Sequence, residues 1–148
     1  MNNYDNILVA IDINAHYKSI IRKALAICKC SEDVSLIYVL LPTTYIQPYL
    51  YGMEYNTIDD SDRMALAREK MRGVAIEFGI PQEQIFVRLG AIDDGIKEVA
   101  RENIILLIVI GTHGRSGIKL LLGSTANSVL HGAKQDVLAI RMHDDDYL

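Results

Sequence analysis

Apolar residues fall along this chain in two alternating rhythms. Mainly apolar runs occur at Ile7–Ile11, Val34–Leu41, Ile85–Leu89, Ile104–Ile110 and Val137–Met142. Short runs rich in Ile, Val and Leu predict strands buried on both faces. Between them, apolar positions recur at three- and four-residue steps. Ile20, Ala24, Ile27 and Cys28 form one stripe, and Met64, Ala67, Met71, Val74 and Phe78 a second. Ile92, Ile96, Val99 and Ala100 form a third, and a fourth helix is predicted from Ala126 to about Gly132. Asn14 is placed to cap the first helix, and Asp59 to Asp62 the second. Gly79, with Pro81 just beyond, ends that second helix. Asp93 and Asp94 suit the first turn of the third.

Strands that alternate with helices predict an α/β fold with a mostly parallel sheet and right-handed crossovers. No repeat, low-complexity stretch or linker interrupts the 148 residues, so a single domain, 1–148, is expected. One stretch has no clear period. Pro42 to Asp60 carries Tyr45, Tyr49, Tyr51 and Tyr55. A loop of that length is expected to be poorly ordered without ligand and reads either as a flap or partner surface or as a loosely packed surface excursion.

The stretch with most chemistry follows the fourth apolar run. Glycines recur at Gly111, Gly114, Gly117 and Gly123, and Ser124 and Thr125 come next. Glycines let the backbone approach a ligand closely, and N–H groups at a helix start face negative charge. Ser124 and Thr125 are expected at that helix start, where their hydroxyls add donors. The loop has neither a Gly-Lys-Ser/Thr nor a Gly-x-Gly-x-x-Gly pattern, which argues against the common NTPases and dehydrogenases. At the end of the first strand, Asp12 reads either as a turn aspartate or as a carboxylate for a ribose or adenine edge.

Gly111-Thr112-His113-Gly114, a spacer from Arg115 to Leu122, and Gly123-Ser124 resemble the glycine motif of the universal stress protein family. The spacer has eight residues, one fewer than in the family's nucleotide-binding members. Ile11-Asp12 also resembles the family's Val-Asp. The resemblance implies an open five-stranded parallel sheet, order 3-2-1-4-5, Rossmann-like, with helices on both faces. It further implies that Ala10, Ile11 and Asp12 line the adenine and ribose, and that Val39 packs on the base. Gly111 and Gly114 would pass close to ribose and phosphate. Gly123, Ser124 and Thr125 would hold the phosphates of ATP, with or without magnesium. A homodimer through the last strand is implied as well. The family also has a nucleotide-free dimeric branch with a similarly short loop, so this sequence mixes features of both.

Composition narrows the classes. A net charge of −4 gives no electrostatic footprint for nucleic acid or an anionic membrane. No apolar run approaches the roughly 20 residues that span a bilayer, and no leader is expected ahead of the first strand, so the cytoplasm is the expected location. Cys28 and Cys30, one residue apart in an expected helix, point in different directions; Cys28 is expected in the core. No metal site is expected. Nothing places a base beside a phosphate-bound metal, and Ser124 has no His-Asp pair, so catalysis is expected to be at most slow ATP hydrolysis. The expected function is adenine-nucleotide binding as a stress-response switch. The alternative is a nucleotide-free dimer that acts through protein contacts.

Overall fold

Five parallel strands form one sheet in the order β3-β2-β1-β4-β5. They are β1 (Ile7–Ala10), β2 (Val34–Leu40), β3 (Ile85–Leu89), β4 (Leu107–Gly111) and β5 (Asp136–Ile140). The helices are α1 (Lys18–Ile27), the short α2 (Thr43–Ile46), α3 (Asp60–Phe78), α4 (Ile92–Glu102) and α5 (Lys119–Gly132). The computed structural model describes residues 4–46, 59–112 and 119–142. Of the Tyr-rich stretch expected as a loop from Pro42 to Asp60, residues 43–46 form α2 and Asp60 starts α3; residues 47–58, Gly114 and Gly117, and the tail from 143 lie outside the described residues.

The sheet is covered on both faces, and strand alternation decides which side chain meets which helix. Ile7 and Val9 of β1, Leu36 of β2 and Val109 of β4 pack against Ile20, Ile21 and Ala24 of α1 and Ala67, Met71 and Val74 of α3. Leu8, Ala10, Ile37, Ile108 and Ile110 point the other way, to Ile96, Val99 and Ala100 of α4 and Val129 of α5. Each fully buried Ile, Leu or Val contributes about 1.5–3 kcal/mol. The two-sided core therefore supplies most of what holds the fold. β1 pairs with β2 on one side and β4 on the other, with Ala10 beside Ile37 and Ile110.

The expected helices are present, with shifted ends. Asp59 caps α3 by accepting from the Ser61 N–H at 2.9 Å. Asn14 does not cap α1, which begins at Lys18 after Tyr17, without a side-chain cap. Its own N–H instead donates to Asp12 Oδ1 at 2.9 Å. Cys28 ends α1 and is buried, whereas Cys30 lies beyond the helix and is exposed. α5 begins at Lys119, one turn earlier than expected.

Helices α3 and α4 end in the same way. Gly79 takes φ 69° after α3, and the Ile80 N–H reaches back to the Ala75 carbonyl at 2.9 Å. After α4, Ile104 takes φ 53° and the Ile105 N–H reaches back to Ala100 at 3.0 Å. The apolar run therefore becomes strand only at Leu107, because Ile104 belongs to the helix-ending turn. A β-branched residue is costly in this conformation, and Ile104 is 75% exposed, so little packing offsets the strain. Replacing it with glycine removes about 1–2 kcal/mol of strain and adds about 0.5–1 kcal/mol of chain entropy cost. Ile104→Gly is expected to raise the denaturation midpoint in urea. A lowered midpoint would show that the exposed isoleucine makes a stabilising contact.

Candidate functional site

The order of the strands creates one place where polar groups can meet at the sheet. The chain leaves β1 toward β2 and β3, then returns to set β4 on the other flank of β1. The crossovers beyond β1 and β4 therefore diverge, leaving a crevice at their carboxyl ends. Asp12 follows β1 there and Gly111 closes β4. The Ile11 N–H donates to the Ile37 carbonyl at 3.0 Å, and the Thr112 N–H to Ile140 at 2.9 Å. Thr112 Oγ1 also accepts the Met142 N–H at 3.2 Å. These bonds fix both rims of the crevice.

The predicted site residues separate into groups. Ala10, Ile11, Asp12 and Gly111 lie together on the two central strands. Ala10 and Ile11 are buried, so what they can present is backbone. Asp12 is half-buried, and Oδ1 holds the Asn14 N–H, as a turn aspartate does. Val39 sits on the neighbouring strand and belongs to the core under α4. A Cβ at Gly95 of α4 would meet Val39 Cγ2 at 2.9 Å. Gly111 also has a packing reason: a Cβ there would stand 2.8 Å from Ile20 Cδ1 and 3.4 Å from Met142 Cγ. Gly123, Ser124 and Thr125 fall in the second turn of α5, not at its start. There the N–H groups already bond to carbonyls four residues back. Thr125 is buried.

Two features of this end of the sheet have no signature in the sequence. Ser19 Oγ, in the first turn of α1, is buried with no hydrogen-bond partner among the described residues. A polar clamp joins the residues after β2 to the start of α3. Thr43 Oγ1 donates to Asp60 Oδ1, and the Thr43 N–H donates to the same oxygen at 3.1 Å. Arg63 Nη1 donates to Asp60 Oδ1 at 2.8 Å and to the Leu41 carbonyl at 2.9 Å. Asp60 and Arg63 are one turn apart on α3, but Leu41 and Thr43 are distant along the chain, so only the fold brings them to that pair. The Thr43 hydroxyl, then Arg63, hold the Asp60 carboxyl below the ordinary carboxylate range.

Other chemistry is sparse. The Asp33 carboxylate accepts from Cys30 Sγ and pushes that thiol up to about 11, so little thiolate forms at neutral pH. Among the described residues, no group of three His, Cys, Asp or Glu is arranged to hold a metal. No described helix is long and apolar enough to cross a membrane.

Comparison with known proteins places this geometry in context. Residues 3–141 match the model of the universal stress protein family. Universal stress protein A homolog 2 of Coxiella burnetii is 34% identical over 145 residues, which cover 96% of this chain and 98% of that protein. One solved structure, of a hypothetical protein whose biochemical function was assigned from its structure, superposes with a TM-score of 0.72 at 18% identity. It covers 94% of this chain and 97% of its own. Another, a universal stress protein in complex with cAMP, has a TM-score of 0.57 at 24% identity over 96% of this chain and all of its own.

The clamp yields a pH test. Asp60 titrates lower when folded than when unfolded, near 3.9, so its stabilisation is present above that value. It is lost as pH falls through the lower folded value. Asp60→Asn is expected to lower the melting temperature at pH 7, with the gap to wild type closing toward pH 3. A gap of constant size across that range would mean that the carboxylate charge contributes nothing.

Proposed function

The chain belongs to the universal stress protein family, and we propose that it is a cytoplasmic stress-response switch that binds ATP or a related adenine nucleotide between β1 and β4. The observation that carries the reading is the meeting of Asp12 and Gly111 at the point where the strand order reverses. The likeness in fold to a structure that holds cAMP supports an adenine ligand. In this reading Asp12 keeps Oδ1 on the Asn14 N–H and turns Oδ2 to the ribose hydroxyls. Ala10 and Ile11 border the base with backbone groups, and the side chain of Val39 supports that wall from beneath α4.

The phosphates lie along the glycine stretch and end on Gly123, Ser124 and Thr125. Because α5 begins at Lys119, this placement needs its first turn to open on binding, releasing those N–H groups. Anion binding at the new helix start offsets the lost turn. A glycine at 123 then lets a phosphate reach the backbone.

The protein also pairs with a second copy along β5 in this reading. β5 is the last strand of the sheet, and an apolar edge left open is a liability. Leu138 is 37% exposed and Ala139 is exposed, whereas Ile140 is buried.

Two measurements follow. In calorimetric titration with ATP and magnesium, Gly123→Val is expected to weaken binding about ten- to a hundredfold. Arg115→Ala should weaken it less, and equal losses would mean that charge holds the phosphates. Absence of heat for wild type at millimolar ATP would leave the nucleotide-free dimer as the better account. In sedimentation, Leu138→Lys is expected to give folded monomer, whereas Ile140→Lys disrupts the core. A wild-type monomer at high micromolar concentration would exclude pairing through β5.

A further inference from the structure

A second concentration of chemistry lies at the opposite edge of the sheet. Arg68 and Arg72 stand one turn apart on α3, and Arg88 is on the edge strand β3. With Gln82, they line one pocket of about 200 Å³, floored by Ile85 and Val87. The chain as a whole is acidic, at −4. Yet the only carboxylate paired with this group among the described residues is Glu69, 2.9 Å from Arg72 and 70% exposed. Lys18, Lys29, Arg63 and Lys97 each hold a carboxylate elsewhere. Arg68 makes no hydrogen bond or ion pair among the described residues.

Like charges at this helical spacing repel, so the arrangement costs stability unless something shared lies between them. The walls are already set. Gln82 Nε2 donates to the Arg72 carbonyl at 3.3 Å and ties the turn before β3 to α3. Arg88 Nη1 donates to the Val87 carbonyl at 3.2 Å, and its guanidinium lies 5.5 Å from the Phe86 ring centre. Those contacts hold Arg88 at the edge of the sheet, on the border of the pocket, and leave Arg68 and Arg72 as its main donors. Guanidinium forks match phosphate oxygens two at a time. The volume is below the roughly 300 Å³ at which drug-sized pockets begin, so the occupant is small.

We propose that the pocket between α3 and β3 is an anion site that takes a phosphate group, as a monoester or diphosphate, on the guanidinium groups of Arg68, Arg72 and Arg88. It lies two strands away from β1, so it is separate from the crevice between β1 and β4.

The test uses the full chain at low ionic strength, titrated with pyrophosphate and with inorganic phosphate, and with sodium chloride at matched ionic strength. Wild type is expected to show saturable binding and a rise in melting temperature with phosphate species only. Tighter binding of pyrophosphate would assign the site to diphosphates, and equal binding to monoesters. Arg68→Gln with Arg72→Gln should lose affinity by about tenfold or more. In phosphate-free buffer this variant should melt at or above the wild-type temperature, because a repulsion has gone. Gly123→Val should retain the pyrophosphate binding that the double arginine variant loses. Equal binding by the double arginine variant, loss of binding in Gly123→Val, or no saturable binding at millimolar pyrophosphate would overturn the proposal.

Discussion

A parallel sheet packed on both faces has nowhere to place polar chemistry except at the ends and edges of its strands. Leu8 and Val9 are fully buried on opposite faces of β1, and the same holds for Ile108 and Val109 of β4. No ligand reaches those positions without unpacking the core. The carboxyl ends of β1 and β4 escape this constraint because their crossovers diverge. Asp12, Gly111 and Thr112 stand where the backbone leaves the sheet. The outer edge of β3 escapes it too, and the arginines of α3 gather there.

How much of this could be read from residues alone depends on how local each signal was. The stripe of α3 was legible because its apolar residues recur at three- and four-residue steps, and β1 and β4 because burial on both faces leaves apolar residues at consecutive positions. Ile104 misled for the same reason. Its β-branched, apolar character favours a strand, but the turn that ends α4 claimed it. Asn14 looked like a cap, yet its backbone is held by Asp12 and α1 starts after Tyr17. The start of α5 was placed too late, because Gly123 and Ser124 read as loop and cap while the helix runs through them. The strand order came from family likeness, since crossovers cannot be read from periodicity. The link from Thr43 to the Asp60–Arg63 pair was invisible, because no local rule joins residues 17 positions apart.

Glycine patterns therefore carry more than one meaning in this chain. A Cβ at Gly111 would crowd the side chains of Ile20 and Met142, and one at Gly95 that of Val39. A motif glycine with a packing role is weaker evidence for a ligand than one facing open space. The case for a nucleotide rests more on where the strand order turns than on counting glycines. The early start of α5 bears on this proposal, because the proposed phosphate contacts need its first turn to open.

Backbone-amide NMR during titration with ATP and magnesium tests this account most directly. The account predicts the largest shifts at Asp12, Gly111 and Thr112, with the amides of Gly123 to Thr125 changing as the first turn of α5 opens. Shifts confined to the β3 edge, or none at millimolar ATP, would contradict it.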